Sequence, residues 1–241
     1  MIDIRSLRCE FDEKIILDDI NLNIQNHLSI LGANGSGKST LAKAVCGIIE
    51  YGGEISINEK NTKELSLTDM AKNISYIPAK LEIYDQYISV EEFVLLGRFA
   101  HKKNFLDYSQ KDKNITTQTL EFLNISHLKN HTVSSLSSGE QQIALIAQAL
   151  VQQSKIIIFD EPTANLDPYN SKIIAEHIKG LKDYHQVILI THDLHLASYV
   201  DNQVAFIKDS SATLYENSFF EDETLKKLYN VEFNSLAVKY D

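Results

Sequence analysis

The chain has 241 residues, 44% of them hydrophobic, and its 23 Lys and Arg against 33 Asp and Glu give a formal net charge of −10. That length suits one substantial α/β domain with room for a subdomain. The acidic balance argues against a general nucleic-acid binder, which carries a basic stripe, and the longest apolar runs, such as Ile156–Phe159 and Val187–Ile190, fall far short of the roughly 20 residues that span a bilayer.

In chain order, Met1–Arg5 lacks the basic start and long apolar core of a secretion signal. Cys9 and Cys46 stand apart, with neither pairing nor metal-ligand spacing, which suits a reducing cytoplasm. Residues 1–31 predict short strands over Ile2–Leu7, Leu17–Ile24 and Leu28–Leu31. Next comes Gly32-Ala33-Asn34-Gly35-Ser36-Gly37-Lys38-Ser39-Thr40, a complete phosphate-binding loop between an apolar strand and a helical pattern. Its glycines let successive N–H groups turn inward on phosphate oxygens, and the helix that follows adds its positive end. Lys38 is placed to reach the β- and γ-phosphates, and Ser39 to offer its hydroxyl to Mg²⁺. The loop predicts binding of a nucleoside triphosphate.

Beyond it, Gly52-Gly53 marks a turn, and short strands are expected over Glu54–Asn58 and Ile74–Ile77, the latter stopped by Pro78. Between about 88 and 150 the period becomes helical: Val90 to Gly97, then Leu120, Leu123, Ile125 and Leu128, then Ile143 to Leu150. Strand and helix alternate again from 155 to 207, through Ile156–Phe159, Ser171–Leu181, Val187–Ile190 and Val204–Ile207. Continuous apolar runs of this length fit parallel strands buried on both faces. The last stretch, 216–241, is a polar tail with a weak helix over Glu221–Tyr229.

Two further motifs carry chemistry. The strand ending in Asp160-Glu161-Pro162 delivers adjacent carboxylates to the carboxyl edge of a parallel sheet, where ligands bind. Asp160 is the expected outer ligand of Mg²⁺, and Glu161 can polarise a water aimed at the γ-phosphate. Leu136-Ser137-Ser138-Gly139-Glu140-Gln141 opens the third helical stretch with a capping box, Ser137 to Glu140, and a capped helix start is also an anion site.

Together these residues resemble the nucleotide-binding subunit of an ATP-binding cassette (ABC) transporter, over essentially residues 1–215. The resemblance rests on the phosphate loop and on Leu136–Gln141, which is similar to that family's signature motif. It also rests on Asp160-Glu161-Pro162-Thr163, on the following Ala164–Asp167 loop, and on Thr191-His192-Asp193 with its switch histidine. It implies an α/β fold with a P-loop NTPase (RecA-like) core built on a mostly parallel sheet, an N-terminal antiparallel β subdomain and an inserted α-helical subdomain. The expected layout is one domain: a nucleotide-binding core over 1–78 and 155–215, and a helical part over about 80–150. It further implies that Phe11 stacks on adenine. Two copies would sandwich two ATP molecules, each held by one copy's phosphate loop and by Ser137, Ser138, Gly139 and Glu140 of the other, with Asp167 alongside. Glu161 would activate water, His192 would hold the γ-phosphate, and the helical part would pass the motion to transmembrane permease subunits. The expected location is peripheral, on the cytoplasmic face of the membrane, with an extracytoplasmic substrate-binding protein and no nucleic acid as partner.

Departures from the family pattern are Ala79 where Gln is usual, Ser138 in place of the signature's first glycine, and Gln141, Ile143 and Gln148 where basic residues are common. None removes Lys38, Asp160, Glu161 or His192, so hydrolysis is expected. Gly97-Arg98-Phe99-Ala100-His101 resembles the ATPases of importers for iron-siderophore complexes, haem and cobalamin; a helix end with a cationic cap is the plainer reading of the same residues. Other ABC importers and exporters, a non-transport ABC ATPase and a P-loop kinase are the alternatives. The signature motif and His192 argue against the kinase.

Overall fold

The computed structural model describes residues 1–82, 85–102, 107–215 and 218–229. The chain opens with strands β1 (Ile2–Phe11), β2 (Lys14–Ile24) and β3 (Leu28–Gly32), then helix α1 (Lys38–Val45). Strands β4 (Gly52–Ile57) and β5 (Lys60–Asn61), helix α2 (Leu67–Asn73) and strand β6 (Ile74–Ile77) follow. Helices α3 (Val90–Leu95), α4 (Gln110–Phe122) and α5 (Ser138–Val151) come next. The chain then alternates: β7 (Ile156–Asp160), α6 (Pro168–Leu181), β8 (Gln186–Ile190), α7 (Leu194–Val200), β9 (Gln203–Lys208), β10 (Ser211–Tyr215) and α8 (Asp222–Tyr229).

Two sheets result. One is antiparallel, in the order β2-β1-β4-β5; the other runs β10-β9-β3-β8-β7-β6 and is parallel except where β10 meets β9. In β7, Ile157 and Phe159 face a core shared with α5, α6 and α7, while Ile156 and Ile158 face the opposite core with α1 and the antiparallel sheet. A strand buried on both faces needs apolar residues at every position, which is why these strands read as unbroken aliphatic runs.

β1 extends well past the expected Leu7. Its buried side switches from Ile2 and Ile4 to Leu7 and Cys9, and the register against β2 slips between Ile4 and Leu7, where Ser6 takes φ 45°. A bulge of this kind resets the alternation and makes one bent strand look like a short one. The helical pattern through Leu128 likewise breaks early. α4 ends at Phe122, Asn124 adopts φ 59°, and Ile125 and Leu128 are buried from a separate 3-10 turn. Asparagine tolerates that left-handed geometry and commonly ends helices.

Candidate active site

The parallel sheet aligns the ends of β3, β8 and β7. Ile30 pairs with Ile190, and Ile190 with Asp160, so the loops leaving all three strands emerge side by side. The first is the Gly32–Thr40 loop. Gly32 has φ 152°, and a Cβ there would sit 2.5 Å from the Ile207 carbonyl, so only glycine fits against β9. Lys38 opens α1 and is only 5% exposed; its Nζ donates to the Gly32 and Ala33 carbonyls, each at 3.0 Å. Ser39 Oγ donates to Asp160 Oδ1 at 2.9 Å, joining the loop helix to the end of β7. The other oxygen of Asp160 accepts from the Tyr76 phenol at 2.6 Å. Burial, and then Asp160 itself, push that phenol far above its ordinary pKa, so it stays a donor.

Glu161 breaks the strand alternation. It takes φ 48°, and its N–H donates to the Ile190 carbonyl at 2.8 Å. This turn aims its carboxylate across the sheet instead of along it. Oε1 lies 3.6 Å from Lys38 Nζ, and Oε2 accepts from His192 Nδ1 at 2.9 Å and from the Thr191 hydroxyl at 3.3 Å. A left-handed non-glycine residue costs on the order of 1–3 kcal/mol, and such strain concentrates where chemistry is done. His192 itself is exposed, facing outward beside the carboxylate.

A second cluster forms on the helical side. Ser137 caps α5 through a reciprocal box: Glu140 N–H donates to Ser137 Oγ, while Glu140 Oε2 accepts from the Ser137 N–H at 2.8 Å and the Ser137 hydroxyl at 2.6 Å. Those bonds hold the Glu140 carboxyl below the usual carboxylate range. Asp167 caps α6, accepting from the N–H groups of Tyr169 and Asn170, and the Asn170 side chain lies directly against Gly139. Ser137, Ser138 and Asp167 are all solvent-exposed. Phe11 belongs to neither cluster: it ends β1 with 48% exposure, so it is no core residue. Among the described residues no group of three or more His, Cys, Asp and Glu side chains is placed to hold a metal ion by itself.

The sequence pattern shows Tyr76 only as part of the Ile74–Ile77 strand, but its place next to β7 brings a hydroxyl to Asp160. Gly97, Arg98 and His101 have partners that the local pattern does not reveal. α3 stops at Leu95 and the chain continues as a 3-10 turn to His101. A Cβ on Gly97 would sit 2.2 Å from the Gln148 carbonyl. Arg98 is 3% exposed; it donates to Asp112 Oδ1 at 2.8 Å, the Val151 carbonyl at 2.7 Å and Gln153 Oε1 at 2.9 Å. His101 Nε2 donates to the Gln152 carbonyl at 2.9 Å. The cationic cap exists, but it caps the end of α5 rather than its own helix.

The loop fits a nucleoside triphosphate with a divalent cation. Ser36 Oγ is buried without a hydrogen-bond partner in the middle of the loop, a polar atom of the kind that a bound oxygen satisfies. Lys38, Ser39 and Asp160 supply one cation and two hard oxygen donors side by side, a set that suits phosphate and Mg²⁺.

Fold and site thus define an ATP-binding cassette of the P-loop NTPase class. The family model described as ABC transporter matches residues 17–164. A relative from Helicobacter pylori, named a probable iron chelatin transport ATP-binding protein, is 30% identical over 244 residues, covering 98% of this chain and 95% of its own. The manganese transport system ATP-binding protein MntB of Halalkalibacterium halodurans is 31% identical over 215 residues, covering 88% and 84%. Among solved structures, an inward-facing ABC transporter described as of metal-chelate type gives a TM-score of 0.83 at 26% identity, covering 96% of this chain and 89% of that one. The dimeric bacterial ABC transporter cassette MJ0796 gives 0.77 at 25% identity, covering 90% and 98%. This chain belongs to the ABC transporter family, as one of its ATP-binding proteins.

Proposed function

We propose that this protein is the ATP-hydrolysing subunit of an ABC importer and energises uptake of an iron chelate, a ferric siderophore or haem, or of cobalamin. The observation that carries the hydrolytic reading is Glu161, held between Lys38 and His192 at the meeting of β7 and β8. In this reading the Gly32–Thr40 loop binds the phosphates, with Lys38 drawing its ammonium from the loop carbonyls to the β/γ oxygens. Ser39 and Asp160 hold Mg²⁺, which neutralises charge on those oxygens when bound. Glu161 takes the proton of the attacking water, and His192 orients the γ-phosphate while steadying that carboxylate. Phe11 offers its exposed face to adenine.

Ser137, Ser138, Gly139, Glu140 and Asp167 complete the site of a second copy, so that a homodimer closes over two ATP. The exposed cluster Leu67, Leu96 and Phe99 rims a cleft of about 300 Å³ between α2, the 96–101 turn and α5, and gives a transmembrane permease an apolar seat. Among the described residues no helix is long and apolar enough to cross a membrane. As an importer's ATPase the protein would act peripherally, on the cytoplasmic face, beneath a permease fed by an extracytoplasmic binding protein.

The substrate class leans on relatives and not on the Gly97–His101 stretch, whose polar groups are engaged in closing α5. Manganese transport by one relative keeps metal-ion import as the second reading. Uptake assays decide between them. A strain lacking this protein should fail to accumulate a ferric chelate, haem or cobalamin while manganese uptake stays normal, and wild type but not Glu161→Gln should restore it. Loss of manganese uptake alone would favour the second reading.

A further inference from the structure

Asp160 ends β7 nearly buried, at 3% exposure, with its two oxygens committed to different elements. Oδ1 accepts from Ser39 on α1 at 2.9 Å, and Oδ2 accepts from Tyr76 on β6 at 2.6 Å. Tyr76 stands opposite Ile158 on the neighbouring parallel strand, so its ring runs two residues along β7 to reach the carboxylate. Ser75, the other polar residue of β6, bonds the Ala149 carbonyl and Ser154 instead. Two residues past the strand, Ala79 carries only a methyl group. The phenol is therefore the polar side chain that β6 brings to Asp160.

A carboxylate turns easily about its last torsion, which has a broad, two-fold profile. One bond from Ser39 leaves that rotation soft; a second, charge-assisted bond at the opposite oxygen fixes it. The short distance and the half-buried setting of the phenol both strengthen it.

We propose that Tyr76 is a positioning residue for the divalent-cation site: its hydroxyl holds Asp160 turned so that Oδ1 stays beside Ser39, and so sets the affinity for the metal. This rests on the reading of Asp160 and Ser39 as the pair that faces the cation. Partners that orient ligands from behind a metal commonly control its affinity by about 10–100-fold when removed.

The test measures binding and not turnover, in the full-length protein. Mn²⁺ affinity is followed by electron paramagnetic resonance with a non-hydrolysable ATP analogue present, and affinity for a fluorescent ATP analogue is measured in excess EDTA. Tyr76→Phe keeps the ring and removes the hydroxyl. It should weaken Mn²⁺ binding about 10-fold and leave metal-free nucleotide affinity within about twofold of wild type. Tyr76→Leu removes the ring too, and an equal loss in both variants ascribes the effect to the hydroxyl. Wild-type Mn²⁺ affinity in Tyr76→Phe, a loss confined to Tyr76→Leu, or an equal fall in nucleotide affinity with and without metal would each overturn the proposal. Asp160→Asn separates the two layers: if it binds Mn²⁺ like wild type, the assignment of the metal pair is what fails, whatever Tyr76 does.

Discussion

At the scale of single residues, the proposed hydrolysis rests on Glu161, whose left-handed backbone turn gives its carboxylate both a cation and an imidazole as neighbours. Glu161→Gln preserves shape and removes the base. ATP binding should persist while hydrolysis falls by at least about 100-fold, within the range that a positioned general base contributes. Turnover near the wild-type rate in a phosphate-release assay would show that another group does this work. Lys38→Ala deletes the buried ammonium, and nucleotide affinity itself should drop in an equilibrium titration. Most of this cluster was legible in the sequence, since Gly32–Thr40, Asp160, Glu161 and His192 sit in short motifs whose spacing carries the chemistry. Tyr76 was not legible. Its role comes from lying beside Ile158 in a neighbouring strand, a relation that register sets and local pattern does not.

Among the elements, α5 carries the second cluster at one end and the Gly97–His101 turn at the other. Its first turn presents the Ser137 box, and its last turn is closed by Arg98, His101 and the approach of Gly97. Gly97→Ala would force a methyl group into the Gln148 carbonyl and should lower stability by about 1–3 kcal/mol, the usual cost of overpacking; a melting temperature equal to wild type would contradict the close approach. The Arg98–Asp112 pair gives a pH signature. Burial raises the Asp112 carboxyl, but the hydrogen bonds of Ser109 and Arg98 outweigh it and hold the carboxyl below its ordinary value. A group depressed in the folded state stabilises above its unfolded pKa, and that stability is lost as pH falls through the depressed value. Asp112→Ala should therefore cost about 3–5 kcal/mol at neutral pH by leaving Arg98 buried without its countercharge. The difference from wild type should narrow in denaturant titrations below about pH 4, near the unfolded carboxylate value. A gap independent of pH would exclude the pair as its source. In the sequence, Gly97, Arg98 and His101 offer both a resemblance to an importer branch and a cationic cap, and the structure shows that the cap closes α5. Their partners, Asp112 and the last residues of α5, lie 14 to 55 positions away, beyond any periodicity. The main strands and α5 were legible because burial on both faces or on one stripe leaves a repeating pattern. α2, α7 and β10 escape the pattern because each is too short to repeat a period, and α2 and β10 are also half-polar.

For the whole molecule, the proposed function makes the two clusters complementary halves of one site. Lys38, Ser39, Asp160, Glu161 and His192 gather at the sheet's edge, while exposed Ser137, Ser138 and Asp167 crown the starts of α5 and α6. The proposed dimer joins one half to the other copy's second half with ATP between them, so nucleotide binding and association must be linked. The most direct test is the solution mass of Glu161→Gln by light scattering, with and without Mg²⁺ and ATP, alongside the same protein carrying Ser137→Arg. The nucleotide sandwich predicts a monomer without ATP, a doubled mass with it, and a monomer under both conditions once arginine occupies position 137. A mass that ignores ATP, or a dimer that survives Ser137→Arg, would contradict it.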